Sequence, residues 1–95
     1  MATYIILSRV TPTAFRDPAD FKKIAETVMA RTKKECPGVV FKSSYATMGR
    51  FDFVDIVESD DPAQVEKVIM IIRACGQSET ETLPATPWRE FLARL

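Results

Sequence analysis

The chain has 95 residues, and its 13 lysines and arginines balance its 13 aspartates and glutamates. A chain of zero net charge exerts no long-range attraction on phosphate backbones or anionic membranes, so we expect no nucleic-acid or membrane partner. It has no histidine and only two cysteines, which excludes Ser–His and Cys–His catalytic pairs and an ordinary zinc site. The composition therefore predicts one globular domain over residues 1–95, with no metal and no cofactor. The N-terminal segment lacks a basic leader and a long apolar run, which predicts a cytoplasmic protein.

The first half of the chain predicts a strand, a helix and a second strand. The β-rich run TYIILSRV, residues 3–10, predicts the first strand. Asp17 and Pro18 have the residue types that begin a helix, and CPG at residues 36–38 ends it. The second strand is predicted over residues 39–48. The apolar residues that recur at helical spacing between these strands are Phe21, Ile24, Ala25, Val28 and Met29.

The second half repeats this order and adds a terminal helix. FDFVDIVE at residues 51–58 predicts the third strand, and SETETL at 78–83 predicts a polar fourth strand. Asp61 and Pro62 begin the helix between them. Its predicted inner stripe is Val65, Val68, Ile69 and Ile72. TPWREFLARL at the end predicts a short helix, with Thr86 as its cap and Pro87 in its first turn.

An internal echo supports the same order of elements. DPADFKKI at residues 17–24 resembles DPAQVEKV at 61–68, and each segment opens a predicted helix. The order β-α-β-β-α-β with right-handed crossovers predicts an α+β, ferredoxin-like fold. Its antiparallel sheet has strand order 4-1-3-2 and carries both main helices on one face. This topology places Cys36 and Cys75 at opposite ends of the sheet, too far apart for a disulfide.

The face of the sheet without helices is predicted to be an interface. The first and third strands are apolar on both sides, which is typical of strands buried on both sides. We expect the open face to carry Phe53, Val57 and parts of Tyr4, Ile6, Phe41 or Tyr45. Soluble monomers rarely expose such a patch, so the pattern predicts a homodimer, or a higher oligomer, that packs through its sheets.

The terminal helix provides two other ways to cover apolar side chains. It could fold over the open face and leave the protein monomeric. Alternatively, its Trp88 and Phe91 could cover Met70 and Ile71, which lie outside the inner stripe of the second helix.

The sequence GRFD between the second and third strands is the first candidate site. Gly49 is expected to supply positive φ for a tight hairpin, and Asp52 to accept turn N–H groups. Arg50, with Arg16 and the start of the first helix, forms the pattern of an anion site. A purely structural turn explains the same residues, and Asp17 already serves that helix start.

Asp55 is the second candidate, because alternation places it among apolar neighbours. We expect it on the inter-sheet face, near Tyr45, with a raised pKa unless it is paired. The alternative is an edge residue bonded to Lys42 or Arg9. On the fourth strand either Thr80 and Thr82 or Glu79 and Glu81 would face the interface.

Three segments, MATYIILSRV, YATMGRFDFVDIVES and TETL, together resemble the GYD domain family. The motif for which the family is named, Gly-x-Tyr-Asp, falls on Gly49, Phe51 and Asp52, with phenylalanine in place of tyrosine. The resemblance implies a ferredoxin-like fold that assembles as a dimeric α/β barrel. GRFD and TETL also resemble, more faintly, the effector-binding domain of AsnC-type regulators, in which a glycine-containing hairpin at an oligomer interface binds a small molecule.

These observations predict a cytoplasmic homodimer that binds a small metabolite near the hairpin. Its site would comprise Gly49, Arg50 and Asp52, with Tyr45 and Asp55 as lining. One alternative is a cofactor-independent enzyme of the dimeric-barrel type, a monooxygenase or isomerase with Asp55 or Glu81 as its base. A purely structural or assembly module is the other. An enzyme predicts an apolar cavity that contains a carboxylate, and a binding module predicts a shallower pocket at the hairpin.

Overall fold

The computed structural model describes all 95 residues as one four-stranded antiparallel sheet and three helices. The elements are β1 (Ala2–Val10), α1 (Pro18–Glu35), β2 (Val39–Ala46), β3 (Phe53–Ser59), α2 (Pro62–Cys75), β4 (Ser78–Ala85) and α3 (Trp88–Ala93). The sheet has the order β2-β3-β1-β4, with antiparallel pairing between each pair of neighbours. The ferredoxin-like prediction and its strand order are confirmed. The connection between β2 and β3 is longer than predicted, because it takes up all of residues 47–52.

The two main helices begin as their sequences predict. Asp17 Oδ1 accepts a hydrogen bond from the Ala19 N–H at 2.8 Å, and Asp61 Oδ1 accepts one from the Ala63 N–H at 3.0 Å. Both carboxylates satisfy N–H groups that the first helical turn leaves without partners.

The start of α3 differs from its prediction. Pro87, with φ of −52° and ψ of 138°, takes the cap position, and no side chain caps the helix. Thr86 is therefore not the cap. The chain is still extended at Pro87, so the helix begins one residue later than a Thr86 cap would require.

Cross-strand pairing assigns each side chain of the central strands to a face. Ile6 and Val57 point toward the helices and are fully buried. Their sequence neighbours point the other way, so Ile5 pairs with Ile56 and Leu7 with Val54 on the helix-free side. We define the open face by the apolar residues on this side, including the β4 residue that pairs with Ile5: Ile5, Leu7, Val54, Ile56 and Leu83.

The predicted membership of the open face was wrong except for Tyr45, which pairs with Val54 and so lies on the helix-free side. The residues expected there that lie on the helix side instead are Tyr4, Ile6, Phe41, Phe53 and Val57. Alternation separates a strand into two sets but cannot tell which set lies under the helices when both are apolar. On β4 the register leaves Glu79 and Glu81 on the open face, whereas Thr80 lies toward α2, where it accepts a hydrogen bond from Arg73 Nε at 2.9 Å.

The core lies mainly between α2 and the sheet. The α2 residues that are buried are Val65, Val68, Ile71 and Ile72. Ile71, predicted to need cover from the terminal helix, is thus buried by the core itself, while Met70 remains 58% exposed. In contrast, Thr32 is the one buried residue of the 18-residue helix α1.

The terminal helix covers neither the open face nor α2. No residue of α3 is buried, and Trp88 is 70% exposed. α3 has no extensive contact with any other element. Both arrangements in which the terminal helix hides apolar residues are therefore wrong for the single chain.

The structure also shows the state of the two cysteines and the character of the helices. Cys36 is buried and Cys75 is half-buried, and both are free thiols, as their predicted separation requires. None of the helices has the length and hydropathy needed to cross a bilayer.

Candidate functional site

A cavity of about 280 Å³ separates α1 from the sheet. The apolar stripe of α1 forms one wall: Phe21, Ile24, Ala25, Val28 and Met29. Because these side chains face a space and not a packed sheet, none of them is fully buried, in contrast to the four buried core residues of α2. The volume lies near the lower limit of small-molecule sites, which begin at about 300 Å³.

Aromatic rings close the cavity near the β2–β3 connection. Phe21 stacks on Phe53 with ring centroids 4.6 Å apart, and Phe15 packs against Phe21 at 5.3 Å. Phe41 and Ala46 of β2 also line the space. The cavity is therefore apolar over most of its surface and lies at the end of the sheet where sequence analysis placed the site.

Asp55 is the one carboxylate that lines the cavity. Its Oδ1 accepts a hydrogen bond from Ser44 Oγ at 2.6 Å, and it forms no ion pair with any lysine or arginine. Burial raises the pKa of Asp55 above its ordinary value, and the Ser44 hydrogen bond offsets part of this rise. The predicted direction of the pKa shift is confirmed.

The predicted surroundings of Asp55 were wrong in two respects. Asp55 lies on the helix side of the sheet, not between two sheets, and its partner is Ser44 instead of Lys42 or Arg9. A register irregularity between Phe41 and Ser43 shifts β2 by one residue, so that Ser44 and not Ser43 lies opposite Asp55.

Ser8 is a cavity residue that sequence analysis missed. Its side chain is 3% exposed, and its Oγ has no hydrogen-bond partner. A buried hydroxyl without a partner costs free energy, and in native proteins it requires an explanation. The sequence feature that could have identified Ser8 is its position in β1. It is the one small polar residue among the β1 side chains that face the helices, which are Tyr4, Ile6, Ser8 and Val10.

Asp52 fastens the β2–β3 connection to β1. Its Oδ2 accepts the Val10 N–H at 2.8 Å, and its own N–H donates to the Ser8 carbonyl at 2.8 Å. Its carbonyl accepts the Thr47 N–H at 2.8 Å. The carboxylate thus serves a backbone group, as predicted, but that group lies on β1 and not in the turn.

Gly49 and Arg50 lie in the same connection and face solvent. Gly49 does not adopt positive φ, contrary to prediction, because the long connection requires no tight turn, and a Cβ placed there would meet no atom within 4 Å. Arg50 and Arg9 lie over the Phe51 ring at 6.0 and 5.7 Å, and Arg9 Nε donates to the Arg50 carbonyl at 2.9 Å. Arg9 therefore connects the turn to β1, whereas the Arg50 side chain contacts its neighbour Phe51 within the turn.

Tyr45 is the remaining predicted site residue. It borders the cavity together with Asp55, pairs with Val54 across the strands and is 59% exposed. The pairing with Val54 assigns the Tyr45 side chain to the helix-free side of the sheet, so Tyr45 borders the cavity at the β2 edge and does not share a face with Asp55. Gly49, Arg50 and Asp52 lie in the turn beside it.

Comparison with known proteins identifies relatives of the chain and of its fold. The model of the GYD domain family matches residues 4–95. A relative from Thermus thermophilus, described as glutamine synthetase and cystathionine beta-lyase binding protein, is 31% identical over an alignment of 99 positions that covers 100% of this chain and 99% of the relative.

Solved structures share the fold at lower sequence identity. The leucine response regulatory protein of Mycobacterium tuberculosis superimposes with a TM-score of 0.62 at 14% identity over 90% of this chain, which spans only 51% of that protein. A putative antibiotic biosynthesis monooxygenase from Caulobacter crescentus has a TM-score of 0.51 at 16% identity, over 90% of this chain and 91% of its own. At such identities the likeness extends to the fold alone.

Proposed function

The chain belongs to the GYD domain family, as its sequence motifs predict, and we propose that it is a homodimeric binding module that holds a small, mostly apolar molecule between α1 and the sheet. The observation that carries this proposal is the cavity beneath α1. An occupant would remove the partly exposed apolar stripe of α1 from water. This burial stabilises the complex by about 25 cal/mol per Å² of apolar surface. The site differs from the one expected at the dimer interface, although Tyr45 and Asp55 belong to both.

The proposed dimer follows from the open face. Ile5, Leu7, Val54 and Ile56 occupy the two central strands, and no element of the chain covers them. A two-fold axis brings the same patch of a second copy against them, and sheets packed in this way exclude water from both faces. A second copy of the chain carries the same apolar patch, so it can cover this face without a partner of another kind.

A second candidate function is docking onto a larger enzyme. The Thermus thermophilus relative is described as binding glutamine synthetase and cystathionine beta-lyase, which favours this possibility. α3 offers a suitable surface, because Trp88 and Phe91 pack together at 5.6 Å while 70% and 41% exposed. Purified glutamine synthetase mixed with the protein should co-elute in size-exclusion chromatography, and Trp88→Ala should abolish co-elution whereas Met70→Ala should not. Separate elution of the wild-type protein would contradict this candidate.

The cavity also meets the sequence-based criterion for a cofactor-independent enzyme. Its general base would be Asp55, since the other candidate, Glu81, is exposed on the open face. An enzyme would convert a bound molecule chemically, whereas a binding module would release it unchanged. The small molecules used as binding probes should therefore be recovered unchanged if the protein is a binding module.

The principal proposal is tested with 2-phenylethanol and its charged analogues, monitored through the methyl signals of Ile24 and Val28 by NMR. We expect saturable shifts in the wild-type protein and none in Ala25→Leu, which fills the cavity. Ala74→Leu, an equal enlargement at an exposed position of α2, is the matched control and should bind as the wild type does. Lack of saturable shifts with every probe, or undiminished binding by Ala25→Leu, would reject the cavity as a site.

A further inference from the structure

We propose that the molecule bound in the cavity is a compact apolar amine, whose ammonium group is held between Asp55 and Ser8. This inference rests on the proposed binding function and specifies the chemical class of the ligand. It is carried by the uncompensated carboxylate, the unpartnered hydroxyl and the apolar walls.

The charges that line the cavity are unbalanced. Asp55 is the one acidic residue there, no lysine or arginine lines the space, and Tyr45 is the other titratable side chain. A carboxylate in apolar surroundings favours an opposite charge, because desolvation strengthens their interaction. An anionic ligand would place a second negative charge beside Asp55 without any cation to offset it. The cavity therefore selects for a cation.

Hydrogen-bonding capacity gives the same answer. The Ser44 hydroxyl donates to Asp55 Oδ1, and Asp55 Oδ2 has no partner. Ser8 Oγ is also unpartnered and buried. An ammonium group has three donors and no acceptor, so it matches a set of free acceptor oxygens.

The sheet register places these two acceptors close together. Ser8 pairs with Phe53, and Asp55 pairs with Ile6, so Ser8 and Asp55 are diagonal neighbours on one face of adjacent strands. Diagonal neighbours in an antiparallel pair lie about 7–8 Å apart, which leaves room for a small polar group between their side chains.

The walls determine the rest of the ligand. Aromatic rings of Phe21, Phe41 and Phe53 line the space, and the faces of such rings attract cations as well as apolar groups. The volume of about 280 Å³ accommodates one small ring or branched chain. A bound ammonium would also favour the ionised form of Asp55, and thus reverse the rise that burial causes in its pKa.

The test compares three molecules of nearly the same shape by isothermal titration calorimetry at neutral pH: 2-phenylethylamine, 2-phenylethanol and phenylacetate. We expect the amine to bind about 10-fold or more tightly than the alcohol, since a charge-assisted hydrogen bond exceeds a neutral one by about 1.4 kcal/mol. Phenylacetate should bind most weakly. Asp55→Asn should reduce amine affinity about 10-fold while changing alcohol affinity less than about 3-fold. Ser8→Ala should also weaken amine binding.

Two controls separate the inference from the function on which it rests. Glu66→Gln removes one negative charge from the exposed surface of α2 and should leave the ranking of the three molecules unchanged. Retained alcohol binding shows that Asp55→Asn is folded. Equal affinities for the three molecules, or preference for phenylacetate, would overturn the amine inference while the binding function stands. Failure of all three to bind would overturn both.

Discussion

The rings of Phe21 and Phe53 stack with their centroids 4.6 Å apart and their planes 3° from parallel. This contact joins the first turns of α1 to the first residue of β3, next to the β2–β3 connection. Elsewhere the cavity separates α1 from the sheet, so the aromatic pair supports the helix at one end of an unfilled space. The aromatic pair therefore joins α1 to the sheet at this end, while α1 also packs against α2.

We expect Phe21→Ala to lower the free energy of unfolding by about 1–2 kcal/mol. This is less than the about 3–5 kcal/mol typical of a fully buried phenylalanine, because Phe21 is half-exposed. Urea denaturation measures the loss, and amide exchange should increase in α1 more than in α2. Met70→Ala, at an exposed position of α2, should change stability by less than about 0.5 kcal/mol. Unchanged exchange in α1 would show that the ring stack does not hold the helix.

Asp52→Ala should destabilise the protein by about 1–3 kcal/mol, because the Val10 N–H loses its acceptor at the end of β1. Asp52→Asn, whose amide oxygen can still accept, should lose less. Thermal unfolding of both variants gives the comparison. If Asp52 contacts a ligand as sequence analysis predicts, both variants should weaken probe binding even where they are folded. If its role is to fasten the connection, probe affinity per folded molecule should be unaffected.

The stability of the protein should depend on pH through Asp55. Because burial raises the pKa of Asp55, the folded chain retains this proton to a higher pH than the unfolded chain does. Its stabilising contribution is therefore complete below the ordinary aspartate pKa and is lost as pH rises through the raised pKa. Asp55→Asn does not titrate, so its stability should increase relative to the wild type over this range. Denaturant midpoints of both proteins, measured from acidic to neutral pH, test the sign. If the stability of Asp55→Asn falls relative to that of the wild type as pH rises, the pKa of Asp55 is not raised.

Ile56→Lys should dissociate the proposed dimer. Ile56 lies opposite Ile5 in the centre of the open face, where sheet packing would bury the new ammonium without a partner. Analytical ultracentrifugation should show the dimer dissociation constant raised by about 100-fold or more, since an unpaired buried charge costs several kcal/mol. Met70→Lys places the same charge on an exposed position of α2 and should leave assembly unchanged. A dimer that tolerates Ile56→Lys would have to use another surface.

Local signals in the sequence were sufficient for the elements and their order. Asp17 with Pro18, and Asp61 with Pro62, mark helix starts because the capping hydrogen bond and the fixed φ of proline act within one turn. The strand order follows from right-handed crossovers, which depend on chain chirality and not on individual contacts. The motif around Gly49 and Asp52 identified the family, although it gave the wrong conformation for Gly49.

The amino-acid sequence by itself determined the helix starts, the β-α-β-β-α-β order and the two-sided apolar character of the central strands, because each depends on neighbouring residues or on regular periodicity. Tertiary structure decided which apolar set lies beneath the helices and that Ser44, not Ser43, lies opposite Asp55. It also decided that Ser8 and Asp55 share one cavity. These outcomes depend on how far α1 stands from the sheet and on one shift in strand register. Both are set by packing between segments distant in sequence, which no local pattern records.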